Sequence, residues 1–175
     1  IVADSGILGE PLGIEPDVSR AEVARLAGSD IETLRQAGSR GKAVHGMLPG
    51  LRALALTLYG EARLHGIATL GGAEGAVLGA SAMMALPLGV PKIIVTPIAS
   101  GHRKFGPLIG TRDIMVVHSV IDILGLNPLS TMIFDNVAAA LAGMVLHGSG
   151  LVIDRGTRRV AITMLGQTTA GVMAL

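Results

Sequence analysis

The chain has 175 residues, half of them apolar, with a mean hydropathy of +0.60, a net charge of +1 and no cysteine. That length fits one domain with a sizeable core. The missing cysteines exclude disulfides, thiolate metal sites and a cysteine nucleophile, and the near-neutral charge gives no electrostatic reason to expect nucleic acid as a partner.

Aromatics are confined to Tyr59, Phe105 and Phe134, so the core must be aliphatic, and the surplus of aliphatic surface predicts a subunit or domain interface. Windows 75–91 and 136–153 carry no charged residue, but glycines or prolines break both. A spanning helix needs about 20 mostly apolar residues, so no membrane insertion is expected. Ile1 is followed at once by Asp4 and Glu10 with no basic segment, so no signal peptide is expected; the absence of cysteine agrees with the cytoplasmic location expected. The opening residue is not methionine, which suggests a natural start further upstream.

Taken in order, residues 1–4 read as the end of a buried strand, and the Gly- and Pro-rich run 5–16 as a loop leaving it. Loops in that position usually carry binding groups. Ser19 with Glu22 three residues on has capping-box spacing for a helix over 20–26. Ser29 or Asp30 can start a short helix to Ala37, and Ser39 opens a longer one. Its apolar residues Ala43, Val44, Met47, Leu51, Leu54, Ala55 and Leu58 repeat near 3.6, with Pro49 and Gly50 as a kink or early turn.

The pattern then changes to strand (65–70), glycine turn (71–75), helix (76–86), Pro/Gly turn (87–91) and buried strand (92–98). Strands alternating with helices at this spacing predict an α/β fold with a mostly parallel, Rossmann-like sheet and helices on both faces. A basic loop follows with His102, Arg103, Lys104 and Arg112, then a strand over 114–117 and an ambiguous run 118–124. A helix over 130–147 capped by Ser130, an apolar excursion at 151–153, and a last strand at 160–165 before a 166–169 turn complete the reading.

In an open α/β sheet, ligands bind outside the carboxyl ends of the strands. Gly71, Gly72, Ala73, Glu74 and Gly75 make one small-residue turn there, and Ala99, Ser100 and Gly101 make another. Bare amides in such turns, followed by a helix amino end, suit a phosphate, so the pair predicts a backbone-lined pocket for an anionic small molecule. The turn matches neither GxGxxG nor GxxxxGK[ST]. Glu74 favours the helix dipole but repels a phosphate unless a metal such as magnesium intervenes. Asp113 and Asp122 with His118 between them could ligate a metal only by converging; capping is the simpler role for Asp113, and core packing for His118. Asn127 and Asn136 could bond a base or sugar, or hold turns.

The ordered segments GIATLGGAEGAVLGASAMMALPLGVPKIIVTPIASG, IGTRDIMVVHSVIDILGLNPLS, NVAAALAGM and AITMLGQTT, with DSGILGEP, DVSRAEVARLAG and SRGKAVHGM before them, resemble one family. It is the family of uncharacterised bacterial and fungal proteins typified by the plant tomato mosaic virus resistance protein, the Tm-type ATP-binding domain. The resemblance covers nearly the whole chain. It implies successive Rossmann-like α/β subdomains, homodimers and ATP or a related nucleotide near the cleft, with this chain as the first subdomain lacking the family's opening strand. Carried over by motif, the ligand-facing candidates are Gly71, Gly72 and Gly75, then Ser100 and Gly101, then Gly110, Thr111 and Asp113, with Glu74 inside the turn.

The departures from that family are specific. Its Gly-Gly-Ser-Gly-Gly-Thr turn has Ala73, Glu74 and Ala76 here, losing hydroxyl donors and gaining a carboxylate. Its Ala-Ser-Gly-Asp segment ends in His102, and His118 replaces a tyrosine. The expectation is therefore a binding domain for a nucleotide-like anion. Its rivals are an enzyme on a phosphorylated or carboxylated metabolite, with Glu74 or Asp113 as acid–base group or metal ligand, and a protein-interaction module.

Overall fold

A computed structural model of the chain describes residues 1–11, 13–100, 106–150, 156 and 169–174. Gly101, His102, Arg103, Lys104, the apolar run 151–153, the strand expected at 160–165 and the turn at 166–168 lie outside the described residues. The sheet is built from β1 (Ile67–Leu70), β2 (Lys92–Thr96) and β3 (Met115–His118), all parallel, in the order β1-β2-β3. Helices occupy Arg20–Leu26 (α1), Ile31–Arg35 (α2), Arg40–Gly60 (α3), Ala73–Ala85 (α4), Gly106–Ile109 (α5), Pro128–His147 (α6) and Thr169–Val172 (α7).

Every residue of β2 is buried, which a strand reaches only when both faces of its sheet are covered. Alternation along the strand divides the coverage. Ile94 packs with Ala76, Ala80 and Met83 of α4 and Leu108 of α5, whereas Ile93 and Val95 pack with Ile133 and Val137 of α6. The fold is thus α/β and Rossmann-like, with helices on both faces of an open parallel sheet.

A further layer covers the outside of α4. Val23, Ala24, Met47, Leu51, Leu78 and Leu86 form one cluster joining α1, α3 and α4. A Cβ on Gly50 would run into the carbonyl oxygen of Val23, so α1 and α3 meet backbone to side-chain-free backbone. That close contact explains why α3 runs unbroken through Pro49: burial of its apolar face offsets the hydrogen bond that proline removes. Arg52 Nε donates to the buried Ser81 hydroxyl at 2.7 Å, tying α3 to α4.

The three expected amino caps for α1, α2 and α3 are present, with Ser19, Asp30 and Ser39 accepting from the amides of Glu22, Thr33 and Lys42. Several boundaries differ from the sequence reading: β1 starts at Ile67 and β2 ends at Thr96, each two residues short of expectation, and α5 is a short helix inside the expected loop. Asn127, rather than Ser130, caps α6; its side chain accepts from the Ser130 amide, and the Ser130 hydroxyl accepts from the Asn127 amide. α4 starts three residues before the expected position, at Ala73. Residues 1–4 form no buried strand: Ile1 is 62% exposed and Val2 42%, and Ala3 makes a lone parallel bridge to Val18. An apolar run becomes a core strand only where a sheet edge receives it, and here the segment pairs with the approach to α1.

α6 is long and apolar enough, by length and composition alone, to cross a membrane, although glycine interrupts it. It rests on the sheet through Ile133 and Val137, while Met132, Val145 and Leu146 are exposed.

Candidate functional site

The turn after β1 is closed by backbone alone. The Gly71 amide donates to the Val95 carbonyl at 3.1 Å, extending the sheet ladder by one residue. A Cβ on Gly71 would sit 2.8 Å from the Gly75 Cα, closer than side chains come in folded proteins, so the turn returns on itself only with glycine there. Gly72 then caps α4 without any side-chain hydrogen bond. The amino end of α4 consequently presents backbone amides and the positive end of its dipole with no capping side chain over them.

This end opens into a cleft of about 630 Å³. One wall is the loop Asp4, Ser5 and Gly6; another is the start of α3 at Ser39 and Arg40; the third is Glu74 and Gly75. Leu34, Val44 and Leu78 supply apolar surface. Known small-molecule sites have volumes of about 300–1,000 Å³ with mostly apolar linings and a few polar groups, a description this cleft meets.

The polar groups of the cleft differ in how firmly they are held. Asp4 accepts from Arg20 Nε at 2.6 Å and from the Gly6 amide at 2.8 Å, and the Arg20 guanidinium also donates to the Gly9 carbonyl. Those two side chains are only 16% and 10% exposed, so the pair fixes the path of the loop. Arg35 is similarly engaged, donating to the Ile7 carbonyl at 3.0 Å and to Glu32 at 2.6 Å. Arg40 and Glu74 face each other across the cleft at 3.4 Å, with side chains 76% and 45% exposed. That separation is long for a charge-assisted hydrogen bond, which prefers about 2.7–2.9 Å. Their contact is weak, and both groups have unused hydrogen-bonding capacity.

The remaining sequence-derived candidates fall elsewhere. Ser100 lies at the same sheet edge, after β2, exposed, and its hydroxyl donates to the Pro97 carbonyl at 3.3 Å. Gly101 lies outside the described residues. Gly110, Thr111 and Asp113 precede β3 and so stand at the opposite, amino edge of the sheet. In the register that pairs Leu70 with Val95 and Val95 with Val117, Asp113 is four residues back from the glycine-turn edge. At about 3.3 Å per residue this is roughly 13 Å along the strands. Of the predicted residues, Glu74 and Gly75 therefore line the cleft, Gly71 and Gly72 form the turn beside it without lining it, Ser100 is on the same edge, and Gly110, Thr111 and Asp113 are apart.

Asp113 has its own structural partner. Lys92 is fully buried, and its Nζ donates to the carbonyls of Pro87 and Val90, each at 2.7 Å, and to Asp113 Oδ1 at 2.8 Å. The Gly89 amide donates to Asp113 Oδ2 at 2.7 Å. Partial burial alone would raise the Asp113 carboxyl; the hydrogen bonds from Lys92 and Gly89 more than offset this and hold it below its ordinary value. Asp122 accepts from the Ile123 amide, His118 closes β3 half-buried, and Asn127 caps α6. Among the described residues no three His, Asp or Glu side chains converge as a metal site.

The sequence reading did not single out Arg40, because its partner Glu74 is 34 residues away and nothing local links them. The loop at 5–16 was expected to carry binding groups, and its first residues line the cleft.

Over residues 1–149 the chain matches the family described as "Uncharacterised protein family (UPF0261) N-terminal domain". The chain belongs to this family. It is 40% identical over 172 residues to a UPF0261 protein of Clostridium tetani, covering 98% of this chain and 42% of the relative. It is 38% identical over 140 residues to the ToMV susceptible protein tm-1(GCR26) of Solanum lycopersicum, covering 78% of this chain and 18% of that protein. A UPF0261 protein of Rhizobium meliloti is 31% identical over 159 residues, covering 91% of this chain and 38% of the relative. The chain thus spans less than half the length of these family members.

Proposed function

We propose that this domain binds a nucleotide-like anion, ATP or a related nucleotide, in the cleft between the loop at 4–6 and the amino ends of α3 and α4. One observation carries the reading: a single cleft of about 630 Å³ brings together Glu74 and Gly75 at the amino end of α4, Arg40 and an apolar wall. The uncapped α4 amides and Arg40 suit phosphate oxygens, the amides by direction and the guanidinium by its fork of donors. Leu34, Val44 and Leu78 suit a planar base, which gains affinity from apolar contact. Magnesium, if the nucleotide carries it, would be held chiefly by phosphate oxygen and water, as that ion usually is.

Of the two carboxylates weighed for an enzyme, Asp113 is committed to Lys92 at the opposite sheet edge, which leaves Glu74 alone in the cleft and supports binding as the first reading. Calorimetric titration of the intact protein with ATP, ADP and AMP, with and without magnesium, tests the proposal. Saturable heat from at least one of them is expected; no heat from any under either condition overturns it.

A further inference from the structure

Resting on the nucleotide reading above, we infer that Arg40 and Glu74 act as a selectivity pair: Arg40 takes the anionic group, and Glu74 takes ribose hydroxyls of the same molecule. Two of the charged groups lining the cleft are already engaged. Asp4 is held by Arg20 and the Gly6 amide, and Arg35 by Ile7, Glu32 and Glu10, so neither can turn to a ligand without releasing the chain it fixes. Arg40 and Glu74 make one long contact with each other across the cleft, and both are substantially exposed, so separating them disturbs little.

The consequences for ligand choice follow from charge. A bare anion arriving at Arg40 meets the Glu74 carboxylate in the first turn of α4, which opposes both the guanidinium and the helix dipole in attracting it. Displacing Glu74 from Arg40 also strands a carboxylate, unless the ligand brings donors to it. An ionised carboxylate accepts hydrogen bonds only, and its two oxygens match a vicinal diol. A molecule carrying both a phosphate and a diol therefore satisfies the pair, whereas phosphate alone satisfies half of it and repels the other half. Glu74 acts in this account as a filter against inorganic phosphate and other simple anions.

Titration of the intact protein with AMP, 2′,3′-dideoxy-AMP and inorganic phosphate, in EDTA, tests the inference alongside Glu74→Gln. In the unmodified protein AMP is expected to bind about tenfold more tightly than its dideoxy form, the loss typical of hydrogen bonds to a charged acceptor, with phosphate weakest. Glu74→Gln is expected to narrow the AMP preference to about twofold and to tighten dideoxy-AMP and phosphate, since the repulsion is gone. An unchanged melting temperature shows that the variant is folded, and Arg40→Gln should weaken all three ligands. Equal preference for AMP in both proteins overturns the pairing while leaving nucleotide binding intact. A preference seen only when magnesium replaces EDTA overturns it too, by making Glu74 a reader of the cation. Absence of AMP, ADP and ATP binding in every condition overturns the nucleotide reading and this inference with it.

Discussion

Asp113→Asn separates a structural carboxylate from a ligand-facing one. All three donors of the buried Lys92 ammonium are used, on the Pro87 and Val90 carbonyls and on Asp113. The amide isostere keeps one oxygen for Lys92 but removes the negative charge, and it turns the acceptor of the Gly89 amide into a donor. Losing one partner of a fully buried pair costs about 3–5 kcal/mol. Here Lys92 keeps two carbonyls and the Asp113 side chain is 41% exposed, so solvent screens part of the loss. Adding about 1 kcal/mol for the Gly89 bond, we expect roughly 2–3 kcal/mol in all. For a chain of this length that corresponds to a melting temperature lower by about 5–10 °C.

Urea unfolding followed by circular dichroism reads the change directly, and its pH dependence supplies a second check. The Asp113 pKa is depressed in the folded protein, so its contribution is present above the unfolded value of about 4 and is lost as pH falls through the folded one. The unmodified protein should lose stability below about pH 4 more steeply than Asp113→Asn. A variant that is as stable as the parent but no longer binds nucleotide would refute the reasoning and return Asp113 to the ligand site.

Gly71→Ala places a methyl against the Gly75 backbone and should destabilise the protein by about 1–3 kcal/mol, measured by thermal melting, with nucleotide affinity falling as the turn opens. Asn127→Ala removes the acceptor for the Leu129 and Ser130 amides and should cost about 1–2 kcal/mol in the same assay, leaving affinity unchanged. Arg40→Ala should weaken AMP binding about tenfold in calorimetry while shifting stability by less than about 1 kcal/mol, because its ion pair is exposed and long.

The parts of the fold that could be read from the chain are those fixed by local chemistry. Ser19, Asp30 and Ser39 cap helices because each can reach an amide three residues ahead, and the run from β1 to β2 announces itself by its change of period. Where two residues offer the same chemistry, reading from sequence misplaces the boundary. Asn127 and Ser130 can each act as a cap, and the reciprocal bonds between them decide in favour of Asn127. Hydropathy misled at residues 1–4, whose environment depends on which edge accepts them.

The site divides in the same way. The glycine turn is legible because Gly71 answers a steric demand within five residues. Arg40 with Glu74, and Lys92 with Asp113, were not, since the first pair is 34 residues apart and the second 21. Only the layering of α3 on α4, and of β2 beside β3, brings these charges together.

Amide chemical shifts of the isotopically labelled protein, titrated with AMP, address the cleft itself. Saturable shifts are expected at Gly6, Arg40, Glu74 and Gly75, with Gly110, Thr111 and Asp113 unmoved. No saturable shift at the four cleft residues, or shifts concentrated at Gly110–Asp113 instead, would contradict the assignment of the ligand to the amino end of α4.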